Sequence, residues 1–194
     1  EGVVVQMSRS GKPLRFERAI IDPTGLALSP SGDVYVSTFA IRMPSSDGRK
    51  PPLRGGVVRL SAQNPPEIVA TDLWGPTTIL FDPDGELIVL EEPTDSIYRY
   101  SALGERKPIL EGFAPVDQAA RNNNGDIFVI EKSPPPNFKI QKKEGCITTW
   151  EHPPQGMGDW SKMTVDGQGY VYFSDPLSSR IQVYDGSGNP VRSY

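Results

Sequence analysis

The chain is poor in the residues that carry most metal and nucleophile chemistry: in 194 residues it has one cysteine, Cys146, and one histidine, His152. A single cysteine excludes an internal disulfide and leaves the redox compartment open. The pair also excludes a structural zinc site built from cysteine and histidine. With no second histidine and no Gly-x-Ser-x-Gly elbow there is no nucleophile–base pair, and His152, in Trp150-Glu151-His152-Pro153-Pro154, reads as a loop residue. Positive charge is not in excess either. Lys and Arg number 20 against 24 Asp and Glu, for a net charge of −4. Phosphate contact asks for a basic surface, so nucleic acid is not an expected partner. No apolar run approaches the ~18 residues of a membrane-crossing helix, and no 3.6-residue apolar pattern persists beyond about two turns.

Proline and glycine, by contrast, are plentiful, at 20 and 19 residues spread along the whole chain. They punctuate it too often for long helices, and the chain reads as all-β. The clearest stretch is Thr78–Leu90 (TILFDPDGELIVL), two short apolar runs around an Asp-Pro-Asp-Gly turn. That pattern is a local β-hairpin signal. It returns as GLALSPSGDVYV from Gly25, QAARNNNGDIFV from Gln118 and KMTVDGQGYVYF from Lys162.

Aligned on the hairpin glycines Gly32, Gly85, Gly125 and Gly169, the repeats step by 53, 40 and 44 residues. A second turn glycine follows at Gly104, Gly145 and Gly188, 19 or 20 residues after the first. Two turns per step of about 40 residues predict four-stranded propeller blades, with strands called a to d from the channel outward. The third strands align as Val57–Leu60, Ile97–Tyr100, Phe138–Gln141 and Ile181–Tyr184. Blades are expected over residues 18–70, 71–111, 112–152 and 153–194, after a half blade over 1–17 with only strands c and d. The first step is long because residues 40–56 (AIRMPSSDGRKPPLRGG) carry an insertion between strands b and c. The expected architecture is an incomplete ring, a segment of a six-bladed propeller short of about one and a half blades. Its open sheet edges could pair with one another between copies.

PTGLALSPSGDVYVS, GPTTILFDPDGELIVLE and DGQGYVYFSDPLSSRIQVYDGSG resemble NHL repeats and the related SMP-30/gluconolactonase propellers, over nearly the whole chain. Asp175, Arg180, Ile181, Gln182 and Val183 stand in the NHL signature positions. The resemblance implies a propeller whose d–a and b–c loops form the ligand face, and it leans toward a location outside the cytoplasm. It does not fix a function, because such propellers include enzymes, sensors and adaptor platforms.

In gluconolactonase-like enzymes a Glu, two Asn and an Asp before strand a hold a divalent metal. Here those positions read Thr24, Thr77, Asp117 and Ser161, each followed by Gly25, Thr78, Gln118 and Lys162. Only Asp117 keeps a ligand type. A second register, just after strand b, holds Thr38, Glu91, Glu131 and Asp175. Its recurrence in every blade points to a structural role, capping backbone N–H groups, rather than to a ring of metal ligands. The insertion sets Arg42, Arg49, Lys50 and Arg54 against the single acid Asp47 and could reach an anionic ligand or an acidic partner. The expected function is a non-catalytic binding module for a protein or small ligand, needing no cofactor. Its candidate contacts are Asp117, Lys162, Arg42, Arg49, Lys50 and Arg54. The alternative is a lactonase-type hydrolase using calcium or zinc, with Asp117 as a metal ligand.

Overall fold

The computed structural model describes residues 3–17, 20–41, 54–61, 64–91, 96–101, 105–109, 116–131, 137–141, 145–150, 162–176 and 178–194. Among them there is no helix, and so none long and apolar enough to cross a membrane. Each of the four repeats becomes one four-stranded antiparallel sheet whose strands lie side by side in chain order. The first sheet holds β3 (Ile21–Leu28), β4 (Val34–Ile41), β5 (Arg54–Leu60) and β6 (Glu67–Leu73). The second holds β7 (Pro76–Phe81), β8 (Leu87–Glu91), β9 (Ser96–Tyr100) and β10 (Arg106–Pro108). The third is β11 (Val116–Arg121), β12 (Ile127–Glu131), β13 (Asn137–Gln141) and β14 (Ile147–Thr149), and the fourth β15 (Met163–Val165), β16 (Val171–Asp175), β17 (Arg180–Tyr184) and β18 (Pro190–Ser193). Ahead of them β1 (Val4–Met7) and β2 (Pro13–Glu17) pair as a sheet of two. The strands around the insertion run further than their sequence shows: Ile41 pairs with Arg54, so both ends of the 40–56 segment are strand.

The tight turns share one chemistry. In Asp166–Tyr170 the Gly169 N–H donates to the Asp166 carbonyl, and the Asp166 N–H to the Tyr170 carbonyl. The Asp166 carboxylate accepts the Gln168 and Tyr170 N–H groups, both at 2.9 Å. Asn122 and Asp185 do the same work at their own turns, and Ser29 Oγ accepts the Asp33 N–H at its turn. This is the three-residue hairpin loop, a type I turn closed by a residue in the left-handed region. Glycine fills that place because a Cβ is strained there: Gly32, Gly85, Gly125, Gly169 and Gly188 have φ between 86° and 91°.

Two compact units result. One combines the first and second sheets with β1–β2, and the other the third and fourth. In the first, Val57 and Leu73 pack on Ile79, Phe81, Leu87, Val89 and Tyr100, with Ala27 and Tyr35 closing the inner end. The other face of the first sheet buries Val36, Val58 and Leu60 with Ile20 and Ile41, and Val4 of β1 packs against them. In the second unit Phe128, Phe138, Trp150, Phe173 and Tyr184 form an aromatic core, with the Phe138 and Trp150 ring centroids 3.9 Å apart.

Phe138, with no solvent exposure, is the centre of that core. Phe138→Ala is expected to cost about 3–5 kcal/mol in urea unfolding. The Asp185 carboxyl is held below the usual range by the Asn189 side-chain amide, then by the N–H groups of Asn189, Ser187 and Gly188. A depressed folded pKa adds stability above the unfolded value, and that stability is lost as pH falls through the folded one. The stability difference between the protein and Asp185→Ala should therefore be full at pH 7 and shrink below about pH 4, as denaturant melts across pH will show.

Candidate functional site

Three of the four candidate positions are described, each near the start of the first strand of its sheet, and their geometry is a β-bulge. In the first sheet Pro23 pairs with Thr38 and Gly25 with Ser37, leaving Thr24 as the extra residue. In the second, Pro76 pairs with Glu91 and Thr78 with Leu90, leaving Thr77. In the third, Val116 pairs with Glu131 and Gln118 with Ile130, leaving Asp117. A bulge ejects one side chain from the ladder and re-aims it, and bulges gather beside binding and active sites. Proline cannot donate into a ladder, so Pro23 and Pro76 were a readable sign of two of these bulges. Val116 gives no such sign for the third.

The three bulged side chains have different surroundings. The Thr24 hydroxyl donates to the Pro76 carbonyl at 2.5 Å and lies 2.9 Å from Ser37 Oγ, tying β3 to β7. The strands come so close here that a Cβ on Gly25 would stand 2.6 Å from the Thr77 carbonyl oxygen. Thr77 Oγ1 is buried and has no hydrogen-bond partner among the described residues. Asp117 is half-buried, and its described partner is the Gln118 amide, 3.3 Å from Oδ2. Gln118 is itself anchored, its Oε1 accepting the Met163 N–H at 2.8 Å. That bond sets β11 against β15 and places Asp117 and Lys162 at one level of neighbouring strands. Lys162 is exposed, and its main chain pairs with Ser174.

The carboxylates after the second strand are buried and tied into their own sheets. Glu91 accepts from Tyr100 OH at 3.1 Å and from Arg106 at 3.0 Å. Burial, then the Glu91 charge, pushes the Tyr100 hydroxyl far up its range. Glu131 accepts from Lys139 Nζ at 2.7 Å. Asp175 accepts from the Ser178 N–H, the Ser178 hydroxyl and the Gln182 amide. Thr38 Oγ1 donates to the Ile21 carbonyl and accepts the Ala40 N–H. Asp175 and Thr38 take backbone N–H groups, as their positions imply. Glu91 and Glu131 also hold cations, Arg106 and Lys139, that sequence reasoning did not single out. On β13 the alternation of Lys139 with Phe138 and Ile140 was the available sign.

Of the basic insertion, Arg42, Arg49 and Lys50 lie outside the described residues, as do Ser161 and His152. Arg54 is described. It stands at the start of β5, 3.9 Å from the Asp72 carboxylate and 5.1 Å from the centre of the exposed Trp74 ring. Among the described residues no group of three or more His, Cys, Asp or Glu is placed to hold a metal ion.

No family model and no curated protein matches the chain. Solved structures do. Virginiamycin B lyase from Staphylococcus aureus superposes with a TM-score of 0.65 at 14% identity, over 97% of this chain and 61% of that one. The chain has a β-propeller fold. A gluconolactonase from Xanthomonas campestris gives a TM-score of 0.64 at 14% identity, over 89% of this chain and 61% of that one. A streptogramin B lyase gives 0.63 at 14%, over 91% and 56%. At such identities the likeness establishes the fold and nothing finer. The chain spans between 56% and 61% of the length of these propellers.

The two bulged threonines separate a working hydroxyl from an idle one. Thr24→Val removes the tie to Pro76 and is expected to cost about 1–3 kcal/mol. Thr77→Val removes a buried hydroxyl with no described partner and is expected to be neutral or stabilising. Paired urea melts check both.

Proposed function

We propose that this chain is a non-catalytic propeller module that binds a protein or a small polar ligand at the end where the first strands begin. The observation that carries the reading is the Asp117 bulge. A half-buried carboxylate is pushed out of the ladder while its neighbour Gln118 is locked to the next sheet, and Lys162 stands at the same level. An acid and a base offered together suit recognition of a zwitterionic or amide-bearing group through paired charge-assisted hydrogen bonds. Arg42, Arg49, Lys50 and Arg54 are a second set of contacts, for an anionic group. No cofactor is part of this reading.

The second reading, a lactonase-type hydrolase, is favoured by one feature: Asp117 is a carboxylate in a bulge, in a fold shared with a gluconolactonase. The described residues fit a metal poorly. Calcium takes six to eight oxygen ligands and zinc about four ligands. Among the described residues no group of three or more His, Cys, Asp or Glu is placed to hold one, and the Gln118 amide oxygen beside Asp117 is already bonded to Met163.

Isothermal titration with calcium chloride and with zinc chloride, together with glucono-lactone hydrolysis in their presence, separates the two. The binding-module reading expects no tight metal site and no hydrolysis above the buffer rate. Metal-dependent hydrolysis that disappears in Asp117→Ala would sink it in favour of the enzyme.

A further inference from the structure

At the end of the first sheet where β3 begins, its third and fourth strands gather three side chains that the packing does not use. Gly55 of β5 pairs with Leu73 of β6, so Arg54 and Trp74 flank the last rung of that ladder. One step back the ladder is bulged. Thr71 and Asp72 stand there against Gly56 alone, and Asp72 takes a left-handed backbone with φ 59°. A non-glycine residue held in that region is strained, and such strain clusters at binding and active sites. Glycine is what lets the two strands approach so closely. A Cβ would stand 2.8 Å from the Leu73 carbonyl oxygen at Gly55 and 2.5 Å from the Ala70 carbonyl oxygen at Gly56. The sheet concerned has all four of its strands.

The Arg54 guanidinium lies over the Trp74 ring, 5.1 Å from its centre, and its Nε faces Asp72 Oδ1 at 3.9 Å. An aromatic face and a carboxylate thus orient it from two sides. Neither contact occupies the two terminal amino groups, and these make no hydrogen bond among the described residues. Stability does not account for the arrangement. An ion pair this long, with side chains 40% and 77% exposed, contributes little, and Trp74 is left 54% exposed.

The groups on offer define what would fit them. A guanidinium with its terminal fork open takes a carboxylate through two parallel N–H···O bonds. Asp72 already matches the Arg54 charge, so a bare small anion gains little from charge alone. The indole beside it supplies the remainder, an apolar face for a ring. We propose that Arg54 and Trp74 bind a carboxylate carried on a six-membered ring, the acid on Arg54 and the ring against Trp74, with Asp72 as the positioning residue for Arg54. This rests on the reading above that gives Arg54 an anionic group, and it is independent of Asp117. Aromatic acids and sugar acids share the required chemistry.

The probes are benzoate, glucuronate and acetate, the last a carboxylate without a ring. Nitrogen-15 NMR of the 194-residue chain follows its three indole N–H signals, with Trp74→Phe identifying that of Trp74. A ring acid is expected to move the Trp74 signal saturably and leave that of the buried Trp150 in place, and acetate should bind at least tenfold more weakly. Arg54→Lys keeps the charge and loses the fork, and should weaken binding at least tenfold. Trp74→Ala, followed at the Arg54 Nε–H signal, should do the same. Both side chains are at the surface, so the variants should melt as the parent does; Arg54→Lys carries the test if Trp74→Ala does not. Saturation by benzoate alone assigns an aromatic acid, and by glucuronate alone a sugar acid. No saturation by either below about 10 mM overturns the proposal, as does binding that Arg54→Lys leaves unchanged. Acetate binding as tightly as the ring acids overturns the ring contact yet keeps Arg54 as an anion contact, which separates this failure from failure of the reading beneath it.

Discussion

A four-stranded sheet with apolar residues on both faces has to be sandwiched. β8 and β12 are buried at every position along their length, so both faces of each strand are shielded from water. Much of the structure follows from that demand. It explains why the repeats recur at a near-constant pitch, since each must present the same two faces to sheets of the same thickness. It also explains why the outer strands differ. β10, β14 and β18 are exposed throughout, lying where no neighbouring sheet reaches them. They can carry lysine, arginine and serine at little cost, and one of them supplies Arg106 to the buried Glu91.

Packing of this kind leaves little room for function inside the sheets, and it moves the available chemistry to their ends. There the first strand is interrupted by a bulge just where neighbouring first strands come within hydrogen-bonding reach. The bulge serves two purposes. It lets Thr24 and the residue after Asp117 fasten one sheet to the next, and it delivers a side chain that the ladder does not need. Where that side chain is threonine the fastening takes it or leaves it idle. Where it is aspartate, a carboxylate is left free of the ladder.

The repeat was legible because its signal is local. A left-handed glycine after a Ser, Asn or Asp turn belongs to five consecutive residues, and the apolar alternation beside it sets which face each side chain takes. That register located Thr24, Thr77 and Asp117, and the resemblance to gluconolactonase-like propellers marked them as a candidate site. Their surroundings did not follow from sequence. Whether a threonine hydroxyl finds the Pro76 carbonyl depends on how closely two strands 52 residues apart approach, and no window of sequence contains that distance. The pairing of Ile41 with Arg54 was hidden for a similar reason: the intervening residues read as loop, and the strands extend into it only because their partners continue.

The ties between sheets also have a direction. Thr24 reaches forward to Pro76, and Gln118 reaches forward to Met163, so within each unit the earlier sheet is fastened by the later one. During synthesis from the N-terminus a newly finished sheet therefore waits with its inner end unfastened until the next first strand emerges. Within each unit the later first strand thus seals a sheet that was completed before it.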